Sequence, residues 1–281
     1  MSRDALPPLR DVIDAYGLRT KKSLGQHFLL DTNLTDKIAR LAGDISHHTV
    51  IEVGPGPGGL TRSLLLAGAG RVVAIEKDER CLPVLAALKA YAGDRFDYIQ
   101  ADASEVSCAT IGKPPRAVVA NLPYNVGTSL LLGWLDDISQ SSDAYSGLTL
   151  MFQREVAERI TAKPFSKAYG RISILAQWLC EVHLLMPVPA AAFVPPPKVD
   201  SAVIQLIPRK SPLFPASKAA LEKVVAIAFQ QRRKMLKSAL KPLSSALVDQ
   251  LTDAGFDVTL RPDQLSVEDY CMIARRYEAL R

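Results

Sequence analysis

Cysteine is scarce in this chain of 281 residues: Cys81, Cys108, Cys180 and Cys271 are far apart, and none forms a CxxC pair. That pattern excludes a zinc knuckle or a disulfide framework and fits a reducing, cytoplasmic setting. No run approaches ~18 uninterrupted apolar residues, so no membrane-spanning helix is expected. The opening residues, MSRDALPPLRDVIDAY, hold three acids and two prolines without a long apolar core, so no secretory leader is expected. Glycine and proline, 16 and 19 residues, are too few for a collagen-like or low-complexity chain. His47, His48 and His183 stand at no metal-ligand spacing with cysteines or acids, so no metal is expected.

What is present is the balance of a soluble globular protein, 48% hydrophobic and 22% charged. The length allows one large domain or two ordinary ones, with a core that needs no staples. The net charge of +5 is unevenly placed. Residues 1–187 carry 20 basic and 20 acidic side chains, and residues 188–281 carry 14 and 9. Within 209–241 nine Lys/Arg meet one acid, Glu222. A neutral body with a basic appendage suggests a polyanionic partner.

Hydrophobic patterning predicts helices at 35–42 (capped by Asp31 or Asn33), 60–67, 79–91 and 127–137. Strands are predicted at 49–54, 71–76, 96–102, 116–124 and 201–208, with 146–160 starting as a strand and ending as a helix. ISILAQWL (172–179) reads as helical. Strands alternating with helices mean an α/β, mainly parallel, doubly wound sheet. After Pro208 only helical spacing follows, at 217–240, 244–255 and 267–280. The expected plan is an α/β domain over 1–209, with 1–20 as an N-terminal extension, and a small all-helical basic domain over 210–281. RKSPLFP (209–215) is the expected linker, and Trp134 and Trp178 lie in apolar helical runs as core.

Gly54, Gly56 and Gly59 sit between a predicted strand and helix, where backbone can approach a ligand and a helix N-terminus offers free N–H groups. Glu76 ends the next strand, 22 residues after Gly54, where a carboxylate can accept both hydroxyls of a ribose. These features fit NAD as well as S-adenosylmethionine. Asp102 ends the third strand, placed to accept from an adenine amino group or to cap the next turn at Ser104.

Asn121-Leu122-Pro123-Tyr124 is the most specific signal. It resembles the active-site tetrapeptide of amino-group methyltransferases, Asn/Asp/Ser-Pro-Pro-aromatic, with Leu in the second place. The 6-amino group of adenine is a weak nucleophile, because its lone pair is delocalised into the ring. Two acceptors holding its hydrogens favour a pyramidal nitrogen. The Asn121 side-chain oxygen and a turn carbonyl, that of Leu122 or Pro123, can serve. Pro123 stiffens the turn, and Tyr124 offers a stacking face worth roughly 1–3 kcal/mol per base. Catalysis then rests on alignment and fixed dipoles rather than on a strong base.

The segments KKSLGQHFLLD (21–31), IEVGPGPGGLT (51–61), IEKDERC (75–81), ADAS (101–104) and NLPYNVGTSLL (121–131) follow one another in order. FQREVAERI (152–160), FVPPPKVDSAV (193–203) and FQQRRKML (229–236) complete the series. Together, from about Lys21 to Leu240, they resemble the ribosomal RNA adenine dimethyltransferases, the KsgA/RsmA family. FQQRRKML and the length favour the small-subunit enzyme over antibiotic-resistance relatives that modify large-subunit RNA. The resemblance implies a Rossmann-like methyltransferase sheet with a helical C-terminal domain. It also implies dimethylation of two adjacent adenines near the 3′ end of 16S ribosomal RNA, within an immature small ribosomal subunit. It implies S-adenosylmethionine as donor, no metal, and a cytoplasmic monomer. His27 and Leu29 would line the donor pocket, largely through backbone, and Gly54 and Gly56 would approach the donor. Glu76 would hold its ribose, Asp102 its adenine, and Asn121 would touch donor and target amine. Tyr124 and Phe193 would sandwich the flipped base. His27 stands where many members have Asn, and Ala101 replaces the usual Gly.

Arg232, Arg233, Lys234 and Lys237 crowd the end of the predicted 217–240 helix, with Arg233 and Lys237 spaced i,i+4 to share a face against RNA phosphates. Arg19, Lys21 and Lys22 are further candidates for guiding RNA. Two other readings remain open here. An NAD-dependent oxidoreductase would leave NLPY and the basic tail unexplained. A non-catalytic RNA-binding factor would leave Glu76, Asp102, Asn121 and Tyr124 intact without a use.

Overall fold

The computed structural model describes residues 6–18, 20 and 26–280; the Arg19, Lys21 and Lys22 cluster lies outside them. The chain packs as two units: Met1–Ala157 with His183–Pro208, and Glu158–Val182 with Arg209–Arg281. The sequence suggested one cut at 209. Instead the chain leaves the first unit after 157, returns at 183 and leaves again after 208, so residues 158–182 pack with the C-terminal segment.

The first unit is built on parallel strands that read as unbroken apolar runs, because both faces are covered. β2 (Thr49–Val53), β3 (Arg71–Glu76), β4 (Phe96–Gln100), β5 (Arg116–Asn121) and β6 (Gly147–Gln153) pair in parallel, and β9 (Ser201–Pro208) closes on β6 antiparallel. With β7 (Cys180–Val188) the order is β4-β3-β2-β5-β6-β9-β7. The strand order reverses between β2 and β5, and in open α/β sheets ligands bind outside the carboxyl ends of the strands at that point. Val50, Val72, Ala74 and Val119 join Ile38 of α2 (Thr32–Leu41), Leu60 and Leu64 of α3 (Gly59–Leu66) and Leu85 of α4 (Leu82–Ala92) in one buried cluster. The alternate positions Ile51, Val53, Val73 and Ile75 are equally buried. Asp31, not Asn33, caps α2, accepting from the N–H of Asn33 at 2.8 Å. An N-terminal helix, α1 (Leu9–Ala15), buries Leu9 and Val12.

Besides α1, three strands escaped the sequence reading. β7 is largely exposed and carries Pro187, so it lacks both the alternation and the continuous apolar character of a strand. β1 (Phe28–Leu29) and β8 (Phe193–Val194) form a two-stranded antiparallel sheet, Leu29 opposite Phe193, too short to show any period.

In the second unit α6 (Arg154–Thr161) leads in, and α7 (Arg171–Leu179) packs with α8 (Lys218–Gln230), α9 (Leu236–Leu240), α10 (Ser245–Asp253) and α11 (Val267–Ala279). Phe229 of α8 stacks on Tyr270 of α11 at 6.1 Å. The segment 209–215 is not a free linker: Arg209 and Leu213 donate backbone N–H groups to Leu179 and Trp178, and Trp178 Nε1 donates to the Phe214 carbonyl at 2.8 Å. The predicted helix 217–240 is broken at 231–235. The Leu236 and Lys237 N–H groups bond instead to the carbonyls of Leu260 and Val258, at 2.7 and 3.0 Å. Arg233 and Lys237 therefore share no helix face. Trp134 and Trp178 are core, and all four cysteines are free and buried.

Candidate active site

The carboxyl ends of β2, β3, β4 and β5 open into one cavity, lined by the Gly54–Gly59 turn, Glu76, Asp102 and residues 121–126, with Leu29 and Phe193 from the small sheet and His27 just before it. The α5 helix (Gly127–Gln140) starts at its rim. The glycines answer to close approach. Gly56 has φ +54°, and a Cβ there would meet the Phe28 ring at 3.2 Å; a Cβ on Gly59 would sit 2.9 Å from the Leu29 carbonyl oxygen. Gly59 thus lets α3 pack under β1.

Glu76 holds the turn in shape. Its Oε2 accepts from the Gly56 N–H at 2.9 Å and its Oε1 from the Asp78 N–H at 2.7 Å. It is only 5% exposed. Burial pushes its carboxyl up from the ordinary range, against the pull of those two N–H groups. Each oxygen keeps a lone pair for a further donor. Asp78 beside it accepts from Gln26 Nε2 at 2.8 Å, and the Arg80 guanidinium holds its carboxyl at about 2. Gln26 of the GQHF motif is thereby tied to the end of β3.

Of the two roles expected of Asp102, the cap is the one formed in the structure. Its Oδ1 caps Ser104, at 2.9 Å to the N–H and 2.7 Å to the hydroxyl. Its Oδ2 accepts from Lys77 Nζ at 2.6 Å while the residue lines the cavity. Lys77, then Ser104, hold its carboxyl at about 2.

The NLPY turn resolves its own ambiguity. The Pro123 carbonyl accepts from the N–H groups of Val126 and Gly127, at 3.2 and 3.0 Å, and so starts α5. The Leu122 carbonyl accepts from no described residue, so it is the available acceptor of the two. Buried Leu122 anchors the turn. Asn121 pairs with Met151 in the sheet, and its side-chain amide bonds to no described residue. Tyr124 is fixed by its hydroxyl to Ser201 Oγ at 2.7 Å.

His27 contributes more than backbone. Its ring stacks on Tyr124 with centroids 5.7 Å apart and meets Phe193 edge-on at 6.4 Å, while Nδ1 bonds to the Pro195 carbonyl at 2.8 Å. In this structure the stacking neighbour of Tyr124 is His27, and Phe193 is 2% exposed. The basic residues belong to the second unit. Arg232 turns inward to Asp263 Oδ2 and to the carbonyls of Ser166 and Lys167. Arg233, Lys234 and Lys237 are exposed, with no ion-pair partner among the described residues.

Glu52 was missed by the sequence reading, although an acid inside the apolar run TVIEV was signal enough. Fully buried at the cavity wall, it accepts from Thr61 Oγ1 at 2.6 Å, and burial pushes its carboxyl up to about 8 from 4.5. The folded state therefore binds the proton more tightly than the unfolded chain. The stability this contributes is complete below about pH 4.5 and is lost as pH rises through about 8. Glu52→Gln is expected to flatten the stability decline between pH 5 and 8. Urea midpoints that fall equally in wild type and variant would count against a neutral Glu52.

A family model described as ribosomal RNA adenine dimethylase matches residues 17–279. The chain belongs to that family. It is 56% identical over 275 residues to the ribosomal RNA small subunit methyltransferase A of Jannaschia sp., covering 98% of this chain and 95% of the relative. Among solved structures it is similar to a dimethyladenosine transferase from Plasmodium falciparum, with TM-score 0.79, 25% identity and coverage of 90% and 98%. The 23S rRNA methyltransferase ErmE follows with TM-score 0.64, 26% identity and coverage of 89% and 99%. This dimethylase is thus an S-adenosylmethionine-dependent enzyme, and the NAD reading of the glycine turn falls away. Among the described residues no helix is long and apolar enough to cross a membrane.

Proposed function

We propose that the cavity binds S-adenosylmethionine, and that Asn121 and the Leu122 carbonyl present to it the 6-amino groups of two adjacent adenines near the 3′ end of 16S ribosomal RNA. The RNA is read as part of an immature small subunit, in the cytoplasm, by a single copy of the chain. The observation that carries this is the pair of unengaged acceptors at the β5 terminus beside an engaged Pro123 carbonyl.

The residues fit such a donor. Glu76 has spare acceptor capacity for two ribose hydroxyls, Asp102 stands ionised at the next strand end, and the turn that carries Gly56 lines the cavity. The donor supplies an electrophilic methyl group on a sulfonium. The chain supplies alignment. Asn121 Oδ1 and Leu122 O accept the two amine hydrogens and aim the nitrogen lone pair. The Ser201 bond fixes the plane of Tyr124, against which a flipped base can stack. Phe193 and His27 complete the aromatic wall. After transfer the nitrogen is acidic enough to lose its proton to water, so no strong base is needed. Asp102, Glu76 and Gly56 act on binding, and Asn121, Leu122, Pro123 and Tyr124 on the reacting amine.

The test is nucleoside mass spectrometry of small-subunit RNA from cells with and without this protein. Two residues of 6-dimethyladenosine per RNA are expected only when it is present. Their persistence in its absence would overturn the reading.

A further inference from the structure

Phe165 is the one non-glycine residue among those described with a left-handed backbone, φ +68°. Bulky residues avoid that region, and glycine or asparagine fill it at least strain. The conformation is enforced. The Phe165 N–H donates to the Asp263 carbonyl at 2.8 Å, and both the Ser166 N–H and its hydroxyl close onto the Lys163 carbonyl, at 3.2 and 2.7 Å. Arg232, held by the Asp263 carboxylate, clamps the carbonyls of Ser166 and Lys167 from the other side. All of these residues lie within the second unit. The ring that this arrangement holds out is 70% exposed, the most exposed large hydrophobic side chain among the described residues. A strained backbone that presents an apolar ring to water has no return inside the molecule.

The surroundings say what kind of partner gives one. Lys163, Lys167 and Arg171 flank the ring in sequence, and Arg233 and Lys234 follow the clamp. All five are exposed and none has an ion-pair partner among the described residues. No acid lies in 162–171 or 231–241, and Asp263 is occupied by Arg232. An exposed aromatic ring amid unpaired cations is the composition of a surface that stacks on a nucleic-acid base while its neighbours neutralise phosphates. We propose that the 163–167 loop is an RNA-docking element of this enzyme: Phe165 stacks on an unpaired or terminal base of the ribosomal RNA, Lys163 and Lys167 take adjacent phosphates, and Arg232 is the positioning residue that holds the loop. The proposal rests on the reading of the chain as an enzyme acting on ribosomal RNA.

Phe165→Gly removes the ring where glycine suits the backbone, and Phe165→Asn is a second variant with the same tolerance. Both are expected to melt at or above the wild-type temperature. Their affinity for small ribosomal subunits prepared from cells lacking this protein is expected to fall about tenfold, within the roughly 5- to 150-fold that losing one stacking aromatic gives. The slope of log affinity against log salt should not change in either. Lys163→Ala with Lys167→Ala is expected to reduce that slope by about 1.4 to 1.8. Phe165 variants that bind within twofold of wild type would overturn the proposal, as would an unchanged slope in the lysine pair. Capture of a partner protein through Phe165, with RNA affinity constant, would overturn it as well. If wild type neither binds nor methylates these subunits, the underlying reading fails, which the wild-type control distinguishes from failure of the loop alone.

Discussion

Asn121→Ala is expected to lower the single-turnover rate of adenine methylation by about 10²–10³-fold, the loss that follows removal of one preorganised polar group from a reacting centre. The reason lies in the unpaired amide. Asn121 ends β5 with its backbone held in the sheet opposite Met151, while its side chain bonds to no described residue. The strand is built without that amide, so truncation should leave the melting temperature nearly unchanged. The substrate amine loses one of two acceptors, and the Leu122 carbonyl alone cannot set the pyramid of the nitrogen. Asn121→Asp keeps an acceptor and should recover part of the rate. Methyl transfer from labelled donor under single-turnover conditions measures this. A rate near that of wild type in Asn121→Ala would remove Asn121 from the mechanism.

Glu76→Gln carries the second large effect, and it falls on binding. One carboxylate now serves two backbone N–H groups, of Gly56 and Asp78, on different oxygens. An amide has one acceptor oxygen, so one of these buried N–H groups would face an NH₂ instead, at roughly 1–3 kcal/mol of stability. The same exchange removes an acceptor from the ribose hydroxyls. With hydrogen bonds to charged groups worth about 1.5–3 kcal/mol each, donor affinity should fall on the order of 100-fold. Calorimetric titration with S-adenosylmethionine and urea unfolding check the two parts separately. A dissociation constant within threefold of wild type would mean that Glu76 shapes the glycine turn without touching the ribose.

The chemistry-bearing segments were legible in the chain because each is local. A glycine run between an apolar strand and a helix, an acid at a strand end and a rigid NLPY turn declare themselves within a few residues. The sheet then delivers Gly56, Glu76, Asp102 and Asn121 to one cavity because parallel strands put their carboxyl ends on the same side. Family resemblance supplied the roles of His27 and Phe193, which no local pattern shows.

What sequence alone determined was therefore the order of the central strands and helices, the basic bias after residue 188 and the identity of the strand-end residues that meet in the cavity. Tertiary structure decided which carbonyl of the turn is available, since Pro123 is occupied only once α5 forms over it. It also decided that 231–235 breaks a helical pattern, because carbonyls of Val258 and Leu260 claim the N–H groups of residues 236 and 237. Likewise it sent 158–182 to the second unit and turned Arg232 inward to hold the loop that carries Phe165. Periodicity and turn chemistry act over a few residues and are written in the chain. Hydrogen bonds between segments that are distant in sequence override them, and those exist only after the segments have met.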